Sequence, residues 1–539
     1  MYRCFRIVLL LMAAFLIGCT EKNAETKKTL TEGKRPNILL IVADDLGYTD
    51  VGAFGSEIPT PNIDRLAREG LRFTNFRTGR ACQQTRVMLM ASAGTEAGLE
   101  IRPRRAPGTR TNVLKKEWAI LPELLQNIGY RTYMAGKWDL GFTEGYRPVD
   151  RGFDRSFAML EGGESHFAEY FWREAIAYED DGRALKLSDL PSDFYSTKDY
   201  TEKMLGYLQA HEGEDQPWFG YLAYTAPHWP LQVPDEWLNR HKGHYDSGFE
   251  VLRGNRLKKA EQEGVLPAGI NPSTSNMLAK PWAEMHAEQK IRYARAQEIY
   301  ASMVEYMDAG IGQIIRFLEQ TKQLDETLIF FMSDNGASAL EEGMWEANPF
   351  PVRPLPRDND LANFGKVGSF IDHGIGFAEA ASAPFKYFKG SMSGGGVRSA
   401  AFLRYPTSIQ SGEVSHLSFT ALDLLPTLMT AAGSQHPGAG YYKGRIIKEP
   451  RGVSVWENLA GGNPIMGAQP GTIGWAEGPI GAFLRGRYKI INQGAPGNLG
   501  TTAWRLYDVE NDPSELTEIQ DQHPELTQGM IAEWEADWK

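Results

Sequence analysis

Cysteine is scarce in this chain. Its 539 residues include three, Cys4, Cys19 and Cys82, too few for a disulfide-stapled framework. Long basic runs are missing too. Lys and Arg number 57 against 68 Asp and Glu, for a net charge of −11. That balance leaves no electrostatic footprint for nucleic acid, so no such partner is expected, and any anionic ligand must be held by local cations. There is no HExxH and no Cys/His cluster, which excludes the common zinc arrangements. No internal repeat is visible, which excludes a solenoid or propeller. What is present is an ordinary globular balance, 42% hydrophobic and 23% charged, with no sign of disorder.

The first twenty residues, "MYRCFRIVLLLMAAFLIGCT", set Arg3 and Arg6 before an apolar run from Ile7 to Ile17. The run is too short for an ordinary transmembrane helix and has the anatomy of a secretory signal. "LIGC" resembles the bacterial lipoprotein signal, in which cleavage precedes a cysteine that becomes acylated. Residues 1–18 then form the signal peptide, Cys19 is the lipidation site, and residues 19–34 form a polar, flexible tether. The protein is accordingly expected to be exported to the periplasm or cell surface and anchored to the membrane through lipid. Cys82 becomes the only cysteine of the folded part.

The body of the chain repeats a helix-then-strand order. "NILLIVADD" has a continuous apolar run from Ile38 to Val42 that suits a strand buried on both faces, and it ends in Asp44-Asp45. Leu121, Leu124, Leu125 and Ile128 mark one helix face before a strand that leads to Lys137 and Asp139. "WFGYLAYTAPH" ends at His228. A long helix over roughly 288–320 precedes "TLIFFMSDNG", which ends at Asp334-Asn335. This order predicts an α/β fold with helices on both sheet faces and ligands beyond the carboxyl ends of the strands. Asp44, Asp45, Asp334 and Asn335 make an all-oxygen donor set that suits Ca²⁺ or Mg²⁺. Lys137 and His228 add an anion-binding cation and an acid or base. Together they suggest chemistry on a phosphoryl or sulfuryl ester.

The stretches "RPNILLIVADDLGYTDVGAFG", "TPNIDRLAREGLRF", "GYRTYMAGKWDLG", "YLAYTAPHWPLQVP", "FFMSDNGA", "GGGVRSAAFLRYP" and "LDLLPTLMTAAG" resemble type I sulfatases of the alkaline-phosphatase-like superfamily, in look closest to bacterial arylsulfatases. The resemblance implies a large, mixed, mostly parallel sheet flanked by helices over residues 35–435, with a smaller α+β subdomain over 436–539. It implies one Ca²⁺ held by Asp44, Asp45, Asp334 and Asn335, with residue 82 at the ion. Cys82 matches the position that a maturation enzyme oxidises to formylglycine, the nucleophile of sulfate-ester hydrolysis. Arg86 would steady that nucleophile, Lys137 and Lys389 would bind sulfate oxygens, and His228 would serve the leaving-group oxygen. The expected substrate is a sulfated small molecule or glycan.

Two positions depart from the family pattern. The modification motif is Cys, any residue, Pro or Ala, any residue, Arg, but this chain reads "CQQTR", with Gln84 at the third place; the usual following "LLTGR" reads "LMASA". The usual "GKWH" reads "GKWD", which puts Asp139 where a histidine faces the nucleophile. A carboxylate there repels a sulfate anion unless it is protonated or paired. Three readings therefore stand: a sulfatase with an altered site, a phosphate or phosphonate ester hydrolase, or a lipoprotein of impaired catalysis that binds sulfated ligands. His166 in "LEGGESHF" and His373 in "FIDHGIG" are further candidates for substrate contact.

Overall fold

Seven consecutive buried residues, Asn37–Ala43, form the central strand β1. In the computed structural model the residues described are 35–94, 99–102, 111–169, 177–267, 269–270, 277–341, 357–461, 472–496 and 500–539. The signal segment 1–18, the tether 19–34 and Cys19 lie outside them. Nine further strands complete the main sheet: β2 (Leu71–Phe73), β3 (Arg131–Lys137), β4 (Arg155–Met159), β5 (Tyr178–Asp180), β6 (Arg183–Ala184), β7 (Trp218–Ala223), β8 (Thr327–Ser333), β9 (Ala401–Arg404) and β10 (Glu413–Ser415). Their spatial order is β10-β2-β9-β8-β1-β7-β3-β4-β5-β6. The centre, β8-β1-β7-β3-β4, is parallel throughout. Antiparallel neighbours flank it at β9 and β5. The sheet is thus large, mixed and mostly parallel, as expected.

Alternation along β1 explains its continuous apolar run. Ile38, Leu40 and Val42 point into one core, shared with α1 (Cys82–Ala91), α2 (Leu121–Asn127) and α5 (Ala421–Ala431). Leu39, Ile41 and Ala43 point into the other, shared with α3 (Ser196–Ala210) and α4 (Ala287–Gln320). A strand covered on both faces has no polar side to show. The helix expected over 288–320 is α4, and Ile299, Met303, Gly310 and Ile314 are buried along it.

After residue 472 the chain makes a four-stranded antiparallel sheet, β11 (Ile473–Glu477), β12 (Ile480–Arg485), β13 (Tyr488–Gln493) and β14 (Thr501–Asp508). One face, with Phe483, Ile490 and Leu506, packs against Met530 and Trp534 of the terminal helix α6 (Pro524–Asp537). The other, with Trp475, Leu484 and Ile491, covers Met392 and Val397. The small sheet thereby abuts the segment that follows Lys389.

One glycine sets the spacing at the functional edge. Gly136 has φ 122°, and a Cβ there would lie 1.9 Å from the Ala223 carbonyl oxygen of β7. Only glycine permits that approach, and Lys137 is the next residue.

Near the other sheet edge, Glu179 of β5 is buried. Its carboxylate accepts from Ser156 Oγ at 2.6 Å and from the Gly182 N–H. Burial outweighs these bonds and pushes its pKa up to about 7 from an ordinary 4.5. The folded chain therefore keeps a proton that the unfolded chain loses above about pH 4.5, and stability falls as pH rises from about 4.5 to 7. Glu179→Gln is expected to remove this loss, worth on the order of 3 kcal/mol at pH 8, and to change little at pH 4. Parallel denaturation curves for the two proteins at every pH would contradict this.

Candidate active site

Four strands deliver polar residues to one edge, as their sequence endings suggest. Asp44 and Asp45 follow β1, Lys137 ends β3, His228 follows β7, and Asp334 and Asn335 follow β8. Cys82 is the first residue of α1, and Arg86 lies one turn on. Lys389 comes from the loop before β9. These nine residues meet in one buried site.

The charges there are matched one to one. Lys137 Nζ donates to Asp44 Oδ2 at 2.6 Å, Lys389 Nζ lies 2.6 Å from Asp45 Oδ1, and Arg86 donates to Asp334 Oδ2 at 2.8 Å. Cys82 Sγ sits among them, 3.2 Å from Asp44 Oδ1 and 3.2 Å from Lys389 Nζ. Arg86 also donates to the Lys137 carbonyl and to Tyr221 Oη, at 2.8 and 3.0 Å. Burial alone would raise Asp44, yet Lys137, His228 and Arg86 hold it well below the usual carboxylate range. Burial, with Asp44 beside it, pushes Asp334 up. Burial and then Asp44 push the Cys82 thiol well up, which disfavours its thiolate.

Part of the expected oxygen set lies in a cluster that could hold a metal ion, with Cys82 and His228 beside it and Asp334 outside it. Asp44, Asp45, Cys82 and His228 each offer a ligand atom, and all of these lie within 4.8 Å of one another. Asn335 Nδ2 donates to Asp45 Oδ1 at 2.6 Å, while Asn335 Oδ1 is buried and accepts no hydrogen bond among the described residues. A buried amide oxygen without a donor costs free energy unless something electropositive meets it. The cluster can therefore hold a metal ion. His228 Nδ1–H donates to the Trp229 carbonyl at 2.5 Å, which leaves Nε2 turned to the site, 3.5 Å from Asp45 Oδ2.

Asp139 stands beside this set in a left-handed conformation, φ 54°. Gln83 Nε2 donates to its backbone carbonyl at 3.0 Å. Its carboxylate accepts no hydrogen bond among the described residues and lies over Gly162, where a Cβ would come within 3.4 Å of Asp139 Oδ1. Burial raises its pKa, against the pull of Lys137 and Arg86. Gln84 has found partners of its own. Its Oε1 accepts from the Arg80 N–H at 3.2 Å, and its Nε2 donates to Glu477 of β11 at 3.0 Å. Arg80 also pairs with Glu477 and donates to the Gly390 carbonyl.

The two candidates for substrate contact, His166 and His373, are both buried. Both ring nitrogens of His166 are engaged within the protein, with Ser196 Oγ at 2.7 Å and the His228 carbonyl at 2.9 Å. Burial pushes its pKa down to about 4, and the ring braces the His228 loop. His373 is buried likewise, bonded to Gln297 Oε1 and the Ser338 carbonyl and stacked on Tyr300 at 4.3 Å. Sequence reasoning missed Tyr221, Ser196 and Glu477. Tyr221 had one signal, a lone hydroxyl on an otherwise apolar strand; the other two had none.

A family model described as sulfatase matches residues 36–434. The chain belongs to the sulfatase family. An uncharacterized sulfatase of Schizosaccharomyces pombe is 40% identical over 527 residues, covering 93% of each chain. An arylsulfatase of Klebsiella aerogenes is 33% identical over 422 residues, covering 74% of this chain and 87% of its own. Among solved structures, Ps i-CgsB in complex with k-i-k-neocarrahexaose superposes with a TM-score of 0.63 at 24% identity, covering 93% of this chain and 92% of its own, and it shares the fold. As a sulfatase, the protein is a sulfuric ester hydrolase, and the buried edge just described is the candidate for its active site.

A divalent cation is expected to raise the melting temperature, by an amount equivalent to about 2.7 kcal/mol at a hundredfold excess over its Kd. Asp334→Asn should blunt the rise. An unchanged melting temperature with Ca²⁺, Mg²⁺ and a chelator would refute ion binding here.

Proposed function

We propose that this sulfatase hydrolyses sulfate esters of aromatic or sugar alcohols, using a formylglycine made from Cys82 and one Ca²⁺ held by Asp44, Asp45, Asp334 and Asn335. The observation that carries this reading is the single thiol set among three cations and three carboxylates. Formylglycine supplies a hydrated aldehyde as nucleophile, and Ca²⁺ supplies positive charge beside it. The chain's own groups do the rest. Arg86, fixed by three partners, holds the nucleophile side rigid. Lys137 and Lys389 bind sulfate oxygens and offset the charge that grows on them. His228 presents Nε2, with Nδ1 tied to a carbonyl; burial lowers its pKa, so Nε2 must first take up a proton, such as the one the attacking hydroxyl releases, before it can give it to the leaving-group oxygen.

A dedicated maturation enzyme must act on Cys82 for this chemistry. Mass spectrometry of the peptide containing residue 82, from a host that carries such an enzyme, is expected to show formylglycine, and the same preparation should release sulfate from an arylsulfate. A peptide with cysteine alone, together with retained binding of sulfated sugars, would replace this reading with that of a non-catalytic binder.

The reading includes export and acylation at Cys19, supported by the "LIGC" motif. Cys19→Ser should move the protein from the membrane to the soluble exported fraction. Persistent membrane attachment of that variant would rule out lipidation at Cys19.

A further inference from the structure

A row of side chains leads away from His228. The Trp229 ring lies 4.7 Å from the His228 ring, and Phe370 meets Trp229 in a T-shaped contact at 5.7 Å. The Arg357 guanidinium lies over the Phe370 ring, 4.4 Å from its centre. This arrangement is held in place. The Phe370 N–H donates to Asn359 Oδ1 at 2.7 Å, and Asn359 Nδ2 returns a bond to the Phe370 carbonyl at 3.1 Å. Arg292 in turn donates to the Asn359 carbonyl at 3.1 Å.

Arg357 is half-buried yet lacks a counter-ion among the described residues. Its guanidinium forms no ion pair and no hydrogen bond with them, and burial lowers its pKa with no carboxylate opposing. The adjacent Asp358 accepts from the Asp360 N–H instead. Arg398, over the Phe385 ring, is likewise without an ion pair among the described residues, but several other arginines are provided for. Arg151, Arg256 and Arg404 each meet a carboxylate, while Arg253 donates to two backbone carbonyls. A guanidinium held on an aromatic face, partly out of water and with its planar fork free, is set up to take an anion in two parallel hydrogen bonds.

We propose that Arg357, positioned by Phe370 and Trp229, is a specificity subsite for a second anionic group on the substrate, a sulfate or a carboxylate on the sugar beyond the scissile ester. The substrate class is then a glycan fragment with at least two anionic substituents. This inference rests on the sulfatase reading of the site.

The test uses the full chain with Cys82 unconverted, so that sugars bind without turnover. Calorimetry would compare a galactobioside monosulfate, a galactobioside disulfate with one sulfate per ring, and a monosulfate whose second ring is a galacturonate. The disulfate, the galacturonate or both should bind on the order of tenfold more tightly than the monosulfate, and which of them gains identifies the second anion. Arg357→Gln should erase the gain and leave monosulfate affinity unchanged. A preference that survives Arg357→Gln, equal affinity for all three sugars, or no binding of any of them overturns the subsite. Sulfate release from a simple arylsulfate by converted protein tests the underlying reading separately, because that substrate has no second anion. If release fails while the Arg357-dependent preference persists, the subsite stands and the hydrolytic reading falls.

Discussion

Three carboxylates and three cations are packed out of water at one sheet edge, and the rest of the molecule answers to that constraint. Each buried ion carries a desolvation cost of several kcal/mol unless partners sit at close range. The pairs Asp44–Lys137, Asp45–Lys389 and Asp334–Arg86 meet that need at 2.6 to 2.8 Å. Such precision demands rigid supports. Parallel strands with both faces covered supply them, and the glycine at position 136 lets Lys137 come close. The lysines hold the very carboxylates that would ligate an ion, so they become available to an anion once those carboxylates are ligated.

The support extends beyond the strands. His166 braces the His228 carbonyl, and Ser196 braces His166. On the opposite side, Glu477 of the small C-terminal sheet receives Arg80 and Gln84, which flank Cys82 in sequence. Gln493 of the same sheet donates to the Gly390 carbonyl, next to Lys389. Residues separated by almost 400 positions thus fix the Cys82 segment and the Lys389 loop together. Gln84 departs from the family's modification motif, but in the folded chain it is a member of this clamp.

The main sheet, its helices and the nine converging residues were legible in the sequence, for a physical reason. Doubly covered strands must be apolar throughout, so Ile38–Val42 and Leu328–Met332 stand out, and the polar residues that end them stand out more. The family motifs then suggested a role for each. The bracing residues were not legible. His166 reads as a candidate contact because the resemblance places a substrate-side loop there, and His373 because its Gly-rich segment lies near Lys389; their burial among Ser196, Gln297 and Tyr300, distant in sequence, was not legible. Glu477 and Arg357 gave no signal either, since neither sits in a periodic pattern and each gains meaning only from a neighbour across the fold. Strand β11 is short and lacks a pattern for the same reason.

Asp139 changes the charge balance of the site. It adds a fourth carboxylate to the three that the cations already match, so an ionised Asp139 leaves the protein groups with a net charge of −1. In the proposed reading a divalent ion turns that into +1, and a sulfate monoester anion brings the loaded site to neutrality. With a neutral histidine at this position, as in the usual family pattern, the same loaded site would keep one positive charge. When ionised, Asp139 would therefore weaken the site's general pull on anions, and it also stands where the family pattern has a histidine facing the nucleophile. A site that binds simple sulfate esters less strongly gains more from contacts elsewhere on the substrate, and binding energy made remote from the reacting atoms can still be used at them. In the proposed reading Asp139 and Arg357 are complementary: an ionised Asp139 would lower affinity for the sulfate itself, and Arg357 would offer a cation on a neighbouring part of the substrate.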